Sequence, residues 1–312
     1  MPAEPAHIDP ADSVVVDPDA GNRARASREF MRSVAPEPGV AKPDPILIVD
    51  GVKRHFGGLT AVDVDHLEIQ RGLITALIGP NGAGKTTFFN LMTGFDEPNE
   101  GTWSYDGHDL GGVSAHKVAG YGMVRTFQLT KSLNRMSVIE NMRLAGTGQT
   151  GERFLPAIIP ALWRGQEQAI TERADDLLVR FKLDGKREDL AGTLSGGQRK
   201  LLEMARALMV EPALVCLDEP MAGVNPALVQ SLLQHVKSLR DELGMTVVFV
   251  EHDMDVVMDI SDWVIVMAEG RVIAEGPPQS IGKNKTVIRA YLGGDDGEGE
   301  VSLSDIEAEV DR

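Results

Sequence analysis

The sequence of this 312-residue chain predicts a wound α/β fold built around a buried parallel sheet. Three nearly continuous apolar runs have the pattern of strands buried on both faces: "LITALIGP", "ALVCLDEP" and "TVVFVEH". Each run is followed by a helical pattern, respectively "GKTTFFNLMTG", "PALVQSLLQHVKSLRDELG" and "DMDVVMDIS". Such alternation of strands and helices indicates a sheet with helices packed against its faces.

The chain begins with a segment that we expect to be a disordered tail, residues 1–45. It holds eight of the 17 prolines, few aromatic residues and scattered charges, a composition that buries too little apolar surface to fold alone. Its start lacks the basic and long apolar stretches of a secretory signal. Two runs of rough period-two alternation follow, "PILIVDGVKRHF" and "AVDVDHLEIQRG", and they predict antiparallel strands with one wet face.

The strand pattern stops between about residues 129 and 200, where we expect an inserted helical subdomain. The segments "MSVIENMRLAG" and "GQEQAITERADDLLVRFKL" carry helical periodicity there. Further on, "WVIVMAEGRVIAEG" predicts a hairpin that turns near Glu269 and Gly270. From residue 294 the chain is strongly acidic, and we expect a solvated tail. Because no run of about 18 apolar residues occurs, no membrane span is predicted.

The charge balance argues against a nucleic-acid partner. The net charge is −16; residues 1–45 carry −3 and residues 295–312 carry −7, which leaves −6 for the body. A phosphate-neutralising surface needs an excess of lysine and arginine instead. The single cysteine, Cys216, lies inside an apolar run, so it is expected to be a buried core residue of a protein from a reducing compartment.

A glycine-rich loop between a predicted strand and a predicted helix is the first motif that carries chemistry. It reads "GPNGAGKTT" and fits the pattern G-x-x-x-x-G-K-[ST]. In such a loop backbone N–H groups and a helix N-terminus surround phosphates, the lysine neutralises their charge and the hydroxyl can ligate Mg²⁺. A glycine-rich turn with a chance lysine would not explain the strand-loop-helix context. The predicted phosphate site comprises Gly79, Pro80, Asn81, Gly82, Ala83, Gly84, Lys85, Thr86 and Thr87.

Two carboxylates follow the second apolar strand, at the edge where wound sheets bind their ligands. We expect Asp218 to organise Mg²⁺ and Glu219 to polarise a water toward a γ-phosphate. A lone Asp-Glu pair would more simply be a solvated strand end. The upstream phosphate loop favours the catalytic interpretation.

A second anion-binding helix start is predicted at "LSGGQRK". Its serine hydroxyl and backbone N–H groups can donate to phosphate, although a plain N-cap with a flexible glycine pair is the competing interpretation. Two predicted phosphate-binding loops in one chain are a more specific signal for the class of nucleotide-binding protein than either loop alone. The residues of this loop are Leu194, Ser195, Gly196, Gly197 and Gln198.

Together these motifs resemble the ATP-binding subunit of an ABC transporter, over about residues 46–293. The resemblance implies a P-loop NTPase (RecA-like) core with an antiparallel β subdomain and an inserted α-helical subdomain. It also implies catalytic roles for Lys85, Glu219 and His252, the last as the switch histidine at the γ-phosphate. Gln128 matches the Q-loop glutamine and would join Thr86 and Asp218 around Mg²⁺. The remaining matched positions are Phe56, which would stack on adenine, and the D-loop residue Asn225, where the wider family usually has aspartate.

The segments "FGGLTAV", "VRTFQ", "GVNP", "VEHDMDVVMDISD" and "VIRAYLG" narrow the resemblance to importers of branched-chain amino acids. Such a chain works at the cytoplasmic face of the inner or plasma membrane, as a peripheral protein. The family forms a head-to-tail dimer in which the signature loop of one chain closes over ATP held by the other. The implied partners are two integral-membrane permease subunits, a second ATPase subunit or a second copy of this chain, and an external solute-binding protein.

Several alternatives share the same phosphate chemistry. ATPases for the uptake of urea or short amides, and for lipopolysaccharide export, are the nearest ones. A soluble ABC ATPase acting on ribosomes or DNA is a more distant alternative, disfavoured by the single ATPase unit and the missing basic surface.

The cluster of Glu251, His252, Asp253 and Asp255 raises the possibility of a metal site. Adjacent residues of an extended strand point to opposite faces, so Glu251 and His252 would not ligate one ion together. Asp253 is predicted to cap the following helix, and Asp255 to lie in its first turn. No role for Glu251 follows from the sequence.

Overall fold

The computed structural model describes residues 19–126, 133–146 and 164–292. The chain divides into two compact units, one formed by residues 20–129 and 212–312 and the other by residues 1–19 and 130–211. We call the first the sheet unit and the second the helical unit.

The strands all belong to the sheet unit. In chain order they are β1 (Pro45–Phe56), β2 (Leu59–Gln70), β3 (Ile74–Ile78), β4 (Glu100–Tyr105), β5 (His108–Asp109), β6 (Met123–Arg125), β7 (Leu214–Asp218), β8 (Thr246–Val250), β9 (Trp263–Ala268) and β10 (Arg271–Gly276). Within the described residues they form a four-stranded sheet of order β2-β1-β4-β5 and a six-stranded sheet of order β10-β9-β3-β8-β7-β6.

The helices belong to both units. In chain order they are α1 (Ala20–Met31), α2 (Lys85–Met92), α3 (Ala115–Gly120), α4 (Val138–Leu144), α5 (Arg164–Arg180), α6 (Gly196–Ala207), α7 (Pro226–Leu243), α8 (Met254–Ile260), α9 (Pro278–Ile281) and α10 (Lys285–Leu292). Helices α4 to α6 lie in the helical unit, and the others lie in the sheet unit.

The three predicted parallel strands are confirmed as β3, β7 and β8. Every residue of these strands is buried, and β8 pairs in parallel with both β3 and β7. Helices α2, α7 and α8 follow them, as the apolar runs predict. Cys216 on β7 is buried as expected, and burial raises the pKa of its thiol to about 12. The carboxyl ends of these strands therefore share one edge of the sheet.

The predicted antiparallel strands are confirmed as well. Strand β1 pairs with β2 along its length, and β9 with β10. The β9–β10 hairpin turns at Glu269 and Gly270, both with positive φ, of 50° and 79°. One apolar core joins side chains from both sheets and from α2, for example Val49, Phe88 and Met267. The antiparallel sheet thus packs its apolar face onto the wound sheet, as one-sided alternation requires.

The prediction of a disordered tail is wrong for residues 20–45. Helix α1 contacts α7, and its Ala24 and Met31 are buried. Farther on, Lys42 reaches Glu275 of β10 with an Nζ–Oε2 distance of 2.7 Å, in a pair that is almost fully buried. A low apolar content predicts that a segment does not fold alone, but this segment buries Ala24 and Met31 against the rest of the sheet unit. Residues 1–18 and 293–312 lie outside the described residues.

The helical unit has its own buried face and caps. Helix α4 begins with a capping box in which Ser137 and Glu140 exchange side-chain and backbone hydrogen bonds. Met142 of α4, Leu178 of α5 and Leu202 of α6 are fully buried. The two helices predicted for this region are confirmed. The unit extends to residue 211 rather than about 200, because α6 runs on to Ala207 and a 3₁₀ turn follows it.

Candidate nucleotide site

The glycine-rich loop connects the end of β3 to the start of α2, as predicted. Gly79 has φ 150°, and a Cβ atom there would lie 2.1 Å from the carbonyl oxygen of Met267. Gly84 has φ 93°, and a Cβ atom there would lie 2.2 Å from the carbonyl oxygen of Ala61. Both positions therefore need glycine, because neighbouring backbone passes where a side chain would stand.

The β9–β10 turn holds this loop in place. The N–H of Gly270 donates to the Ala83 carbonyl at 3.0 Å, and the Gly270 carbonyl accepts from the N–H of Asp63 on β2 at 2.8 Å. The loop backbone is thus linked through one turn to the antiparallel sheet. Its conformation depends on the packing of the whole sheet unit as well as on its own glycines.

Lys85, the first residue of α2, is buried beneath the loop. Its Nζ donates to the carbonyl oxygens of Gly79 at 2.5 Å and Pro80 at 3.0 Å. Burial lowers the pKa of this ammonium, and the negative charge of Glu219 partly opposes that shift. Thr86 is exposed and Thr87 half-buried on the first turn of α2. A cation and a hydroxyl therefore stand at the N-terminus of one helix, as the motif predicts.

The same edge of the sheet carries Asp218, Glu219 and His252. Strands β7 and β8 pair Asp218 with Val250, and the Glu219 N–H continues the pairing by donating to the Val250 carbonyl at 3.0 Å. The Nε2 atom of His252 lies 3.0 Å from Glu219 Oε1. The structure thus brings together the carboxylate and imidazole that the sequence assigned to the γ-phosphate.

Arg125, at the carboxyl end of β6, is a site residue that the sequence analysis missed. Its Nη2 atom lies 2.7 Å from Asp218 Oδ2, and its Nη1 atom donates to Asn90 Oδ1 at 2.6 Å. The guanidinium also lies 5.0 Å from the ring of Phe89. An available signal was the position of Arg125 at a strand end in "VRTFQ", but which carboxylate it would meet depends on β6 lying beside β7.

Glu251 is a second residue whose contacts the sequence did not reveal. Its side chain is buried, with 5% of the residue exposed. One carboxylate oxygen accepts from the Met221 N–H at 2.8 Å and the other from the His252 N–H at 3.3 Å. Burial raises the pKa of this carboxyl group, against the lowering effect of the two backbone bonds.

Tyr291 on α10 reaches the start of the glycine-rich loop. Burial raises the pKa of its phenol to about 12, and a hydrogen bond with the Gly79 backbone acts in the opposite direction. In the sequence, the segment "VIRAYLG" indicated only a resemblance to a family. In the structure, its Tyr291 lies next to the glycine-rich loop.

Phe56 ends β1 on the surface of the sheet unit and is 48% exposed. The guanidinium carbon of Arg54 lies 4.7 Å from its ring centroid, and Arg54 in turn pairs with Asp96. One face of the ring is therefore covered by a cation, which suits an aromatic ring electronically.

The predicted signature loop lies at the N-terminus of α6 in the helical unit. Ser195 is the N-cap; its Oγ accepts from the Gln198 N–H at 3.3 Å, and Gln198 Oε1 accepts from the Ser195 N–H at 3.0 Å. Ser195 and Gly196 are exposed, whereas Leu194 and Gly197 are buried. Ser195 therefore acts as an ordinary N-cap, as the competing interpretation expects. Its hydroxyl proton can still be donated to another acceptor, such as a phosphate oxygen.

The remaining predicted residues are less informative. Asn225 is exposed directly before α7, where its carbonyl accepts from the Leu228 N–H at 2.7 Å. Gln128 lies outside the described residues. Asp253 caps α8 by accepting from the N–H groups of Asp255 and Val256, which confirms its predicted structural role.

Within residues 19–126, 133–146 and 164–292, no group of three or more His, Cys, Asp or Glu residues could hold a metal ion. No helix in the same ranges is long and apolar enough to cross a membrane.

The chain is similar to ATP-binding cassettes of ABC transporters. Residues 62–222 match the ABC transporter family model, and residues 271–297 match the model described as branched-chain amino acid ATP-binding cassette transporter. Among solved structures, a nucleotide-free ATP-binding cassette from an ABC transporter has a TM-score of 0.69 and 35% identity, covering 80% of this chain and 99% of that one. The ADP conformation of such a cassette gives a TM-score of 0.69 with 36% identity, at the same coverage.

Curated relatives cover most of the chain and nearly all of their own length. It is 41% identical over 253 residues to the probable branched-chain amino acid transport ATP-binding protein LivG of Archaeoglobus fulgidus, covering 81% of this chain and 97% of the relative. It is also 41% identical to the high-affinity branched-chain amino acid transport ATP-binding protein BraF of Pseudomonas aeruginosa and 40% identical to LivG of Escherichia coli K12, covering 80% of this chain and 98% of each. This chain therefore belongs to the ABC transporter family, as an ATP-binding subunit of the branched-chain amino acid type.

Proposed function

We propose that this chain binds ATP and Mg²⁺ and hydrolyses the ATP to drive import of branched-chain amino acids through separate permease subunits. The observation that carries the proposal is the meeting of the glycine-rich loop, Asp218, Glu219 and His252 at one edge of the sheet unit. The solute is proposed from the relatives, whose names specify branched-chain amino acid transport. The solute itself would be selected by the permease and an external solute-binding protein.

The glycine-rich loop would hold the phosphates of ATP. Its backbone N–H groups and the N-terminus of α2 would donate to phosphate oxygens, and Lys85 would exchange its carbonyl contacts with Gly79 and Pro80 for the same oxygens. Phe56 would stack on adenine with the ring face opposite Arg54. Pre-set backbone donors lose little entropy when the ligand arrives, which favours tight binding.

The oxygen donors at this edge fit Mg²⁺. A hydroxyl from Thr86 and a carboxylate from Asp218 are hard ligands, and Mg²⁺ in nucleotide sites usually takes only one or two protein carboxylates besides phosphate and water. When bound, the ion would neutralise phosphate charge and orient the γ-phosphate. Arg125 holds Asp218 Oδ2 at 2.7 Å, so Oδ1 would be the carboxylate oxygen that binds the ion. Gln128 would add an amide oxygen to this set.

Glu219 would accept the proton of the attacking water. His252 would orient that carboxylate through its 3.0 Å contact and donate to the γ-phosphate once ATP is bound. A positioned general base contributes roughly 10²- to 10⁴-fold in rate. Backbone amides, Lys85 and the ion would stabilise the charge that develops on the transferred phosphoryl group.

The signature loop, residues 194–198, would act on the ATP of a second ATPase subunit in a head-to-tail dimer. That subunit is either a different chain or a second copy of this one. The proposed assembly places the dimer under two permease subunits at the cytoplasmic face of the membrane. Asn225, next to α7, would lie at the dimer contact.

Copurification and uptake test this proposal. The full chain, expressed with a tag in its own cell, should carry two integral-membrane proteins, an ATPase subunit and ATPase activity. Vesicles holding the purified complex should take up radiolabelled leucine or valine in the presence of ATP and the solute-binding protein. Uptake of urea or short amides instead, or export of lipopolysaccharide, would contradict the solute; association with ribosomes or DNA would contradict transport.

A further inference from the structure

The buried carboxylate of Glu251 stands where two turns of the site meet. It follows β8 directly, and its two oxygens accept from two different backbone segments. Oε1 accepts from the Met221 N–H, two residues after Glu219, and Oε2 accepts from the N–H of His252. One side chain is therefore bonded to the turn that carries Glu219 and to the turn that carries His252.

The sheet ladder explains why a side chain is needed at this point. The parallel pairing of β7 with β8 ends at Asp218 and Val250, and the last backbone bond runs from the Glu219 N–H to the Val250 carbonyl. Glu219 has φ 45°, a left-handed conformation that L residues rarely adopt, so the chain leaves the ladder there. The next N–H to point toward β8 is that of Met221. The Glu251 carboxylate takes the place of the backbone carbonyl that the ladder no longer offers.

The contact between the side chains of Glu219 and His252 completes a closed ring of hydrogen bonds that includes Glu251. Glu251 bonds both turns through the backbone, and the same two turns are joined through His252 Nε2 and Glu219 Oε1 at 3.0 Å. A rotation of either turn would break at least one bond of this ring. The geometry of the Glu219–His252 pair thus depends on a residue that is itself only 5% exposed.

A carboxylate is a costly choice for a purely structural role. Its burial disfavours the charged form, and the charge of Glu219 nearby adds to that effect, so the pKa of Glu251 is raised. Two separate oxygens that accept two N–H groups at once are what a carboxylate offers and an amide does not. The site therefore uses a group whose two acceptors match two diverging turns.

We propose that Glu251 is a positioning residue that holds Glu219 and His252 in the geometry for hydrolysis. The proposal rests on the assignment of Glu219 as general base in the proposed function. It gives Glu251 a role in the reaction without contact to ATP.

The test compares Glu251→Gln and Glu251→Asp with the control Asp255→Asn, in the full chain with the subunits that copurify with it. Asp255 is an exposed acid four residues away, outside the ring. For both Glu251 variants we expect kcat to fall about tenfold or more, while the affinity for a fluorescent ATP analogue and the KM change less than about twofold. The control should match the wild type in all three.

The same substitution in Glu219→Gln protein distinguishes a positioning role of Glu251 from a general disturbance of the fold. In Glu219→Gln protein, residual hydrolysis of radiolabelled ATP in single turnover should change less than about twofold when Glu251→Gln is added, because coupled residues are not additive. A wild-type kcat in both Glu251 variants, loss of nucleotide binding, or an equal rate loss in the Glu219→Gln background would each overturn the proposal. If Glu219→Gln alone turned over normally, the base assignment would fail instead.

Discussion

Single backbone conformations set the chemistry of this site. Glu219 adopts φ 45° directly after a buried strand, a conformation that costs about 1–3 kcal/mol in an ordinary residue. In this conformation the chain leaves the ladder, and the side chain of Glu219 contacts His252 at 3.0 Å. Gly79 and Gly84 also have conformations that other residues rarely adopt. Because they lack a Cβ atom, neighbouring backbone carbonyls can approach them more closely than any side chain would allow.

Glu219→Gln should leave nucleotide binding intact and lower kcat by roughly 10²- to 10⁴-fold, because an amide cannot accept the proton of water. Steady-state ATP hydrolysis and equilibrium binding of a fluorescent ATP analogue measure the two effects. Glu97→Gln, at an exposed acid in the loop between α2 and β4, is the control and should behave as wild type. Turnover at the wild-type rate in Glu219→Gln would mean that another group activates the water.

Gly84→Ala should weaken ATP binding and cost about 1–3 kcal/mol of stability, since the added methyl group meets the Ala61 carbonyl at 2.2 Å with φ at 93°. Urea unfolding and nucleotide titration measure these losses. Gly120→Ala on α3 is the matched control, because its Cβ atom would meet nothing within 4 Å and its φ is ordinary. Equal stability of the two variants would show that the loop shifts to accommodate the methyl group.

Elements that flank the site also determine its shape. The β9–β10 turn bonds the phosphate loop through Ala83, and α10 reaches the same loop through Tyr291. Both elements lie in the segment of residues 271–297, or next to it, that matches the branched-chain amino acid family model. The C-terminal part of the sheet unit therefore supports the loop from outside the nucleotide motifs.

Tyr291→Phe should lower stability by about 0.5–1.5 kcal/mol and reduce ATP affinity, because the hydrogen bond between the phenol and the Gly79 backbone would be lost. Urea unfolding with and without ATP is the measurement. Tyr121→Phe is the control: its ring stacks on His108 at 4.6 Å, and that contact does not need the hydroxyl. Should both variants unfold at the same urea concentration, the bond from Tyr291 would contribute nothing to the loop.

At the scale of the whole molecule, a segment ahead of the nucleotide-binding motifs is tied to the last strand of the sheet unit. Glu275 on β10 is fully buried and accepts from Lys42, from the Gly39 N–H at 2.6 Å and from the indole N–H of Trp263 at 2.8 Å. These donors satisfy a charge that would otherwise be very costly to bury. Residues 20–45 are thus part of the fold of the sheet unit.

Lys42→Met should destabilise the protein by about 3–5 kcal/mol, because it leaves the Glu275 carboxylate buried without its cation. Chemical unfolding of the full chain checks this. The control is Lys53→Met, which removes the longer and more exposed ion pair with Asp63 and should cost at most about 1 kcal/mol. A similar loss of stability in the two variants would indicate that water solvates the Glu275 carboxylate when Lys42 is removed.

The sequence by itself determined which segments form the parallel strands, which helices follow them, and that a phosphate loop, two carboxylates and a histidine end at one sheet edge. These properties follow from local periodicity and from the topology of wound sheets, so they can be read along the chain. Only the tertiary structure decided that Arg125 meets Asp218, that Glu251 bonds two turns, that Tyr291 reaches Gly79 and that residues 20–45 are ordered. These contacts join residues far apart in sequence, or depend on where a buried side chain points, and packing alone settles both.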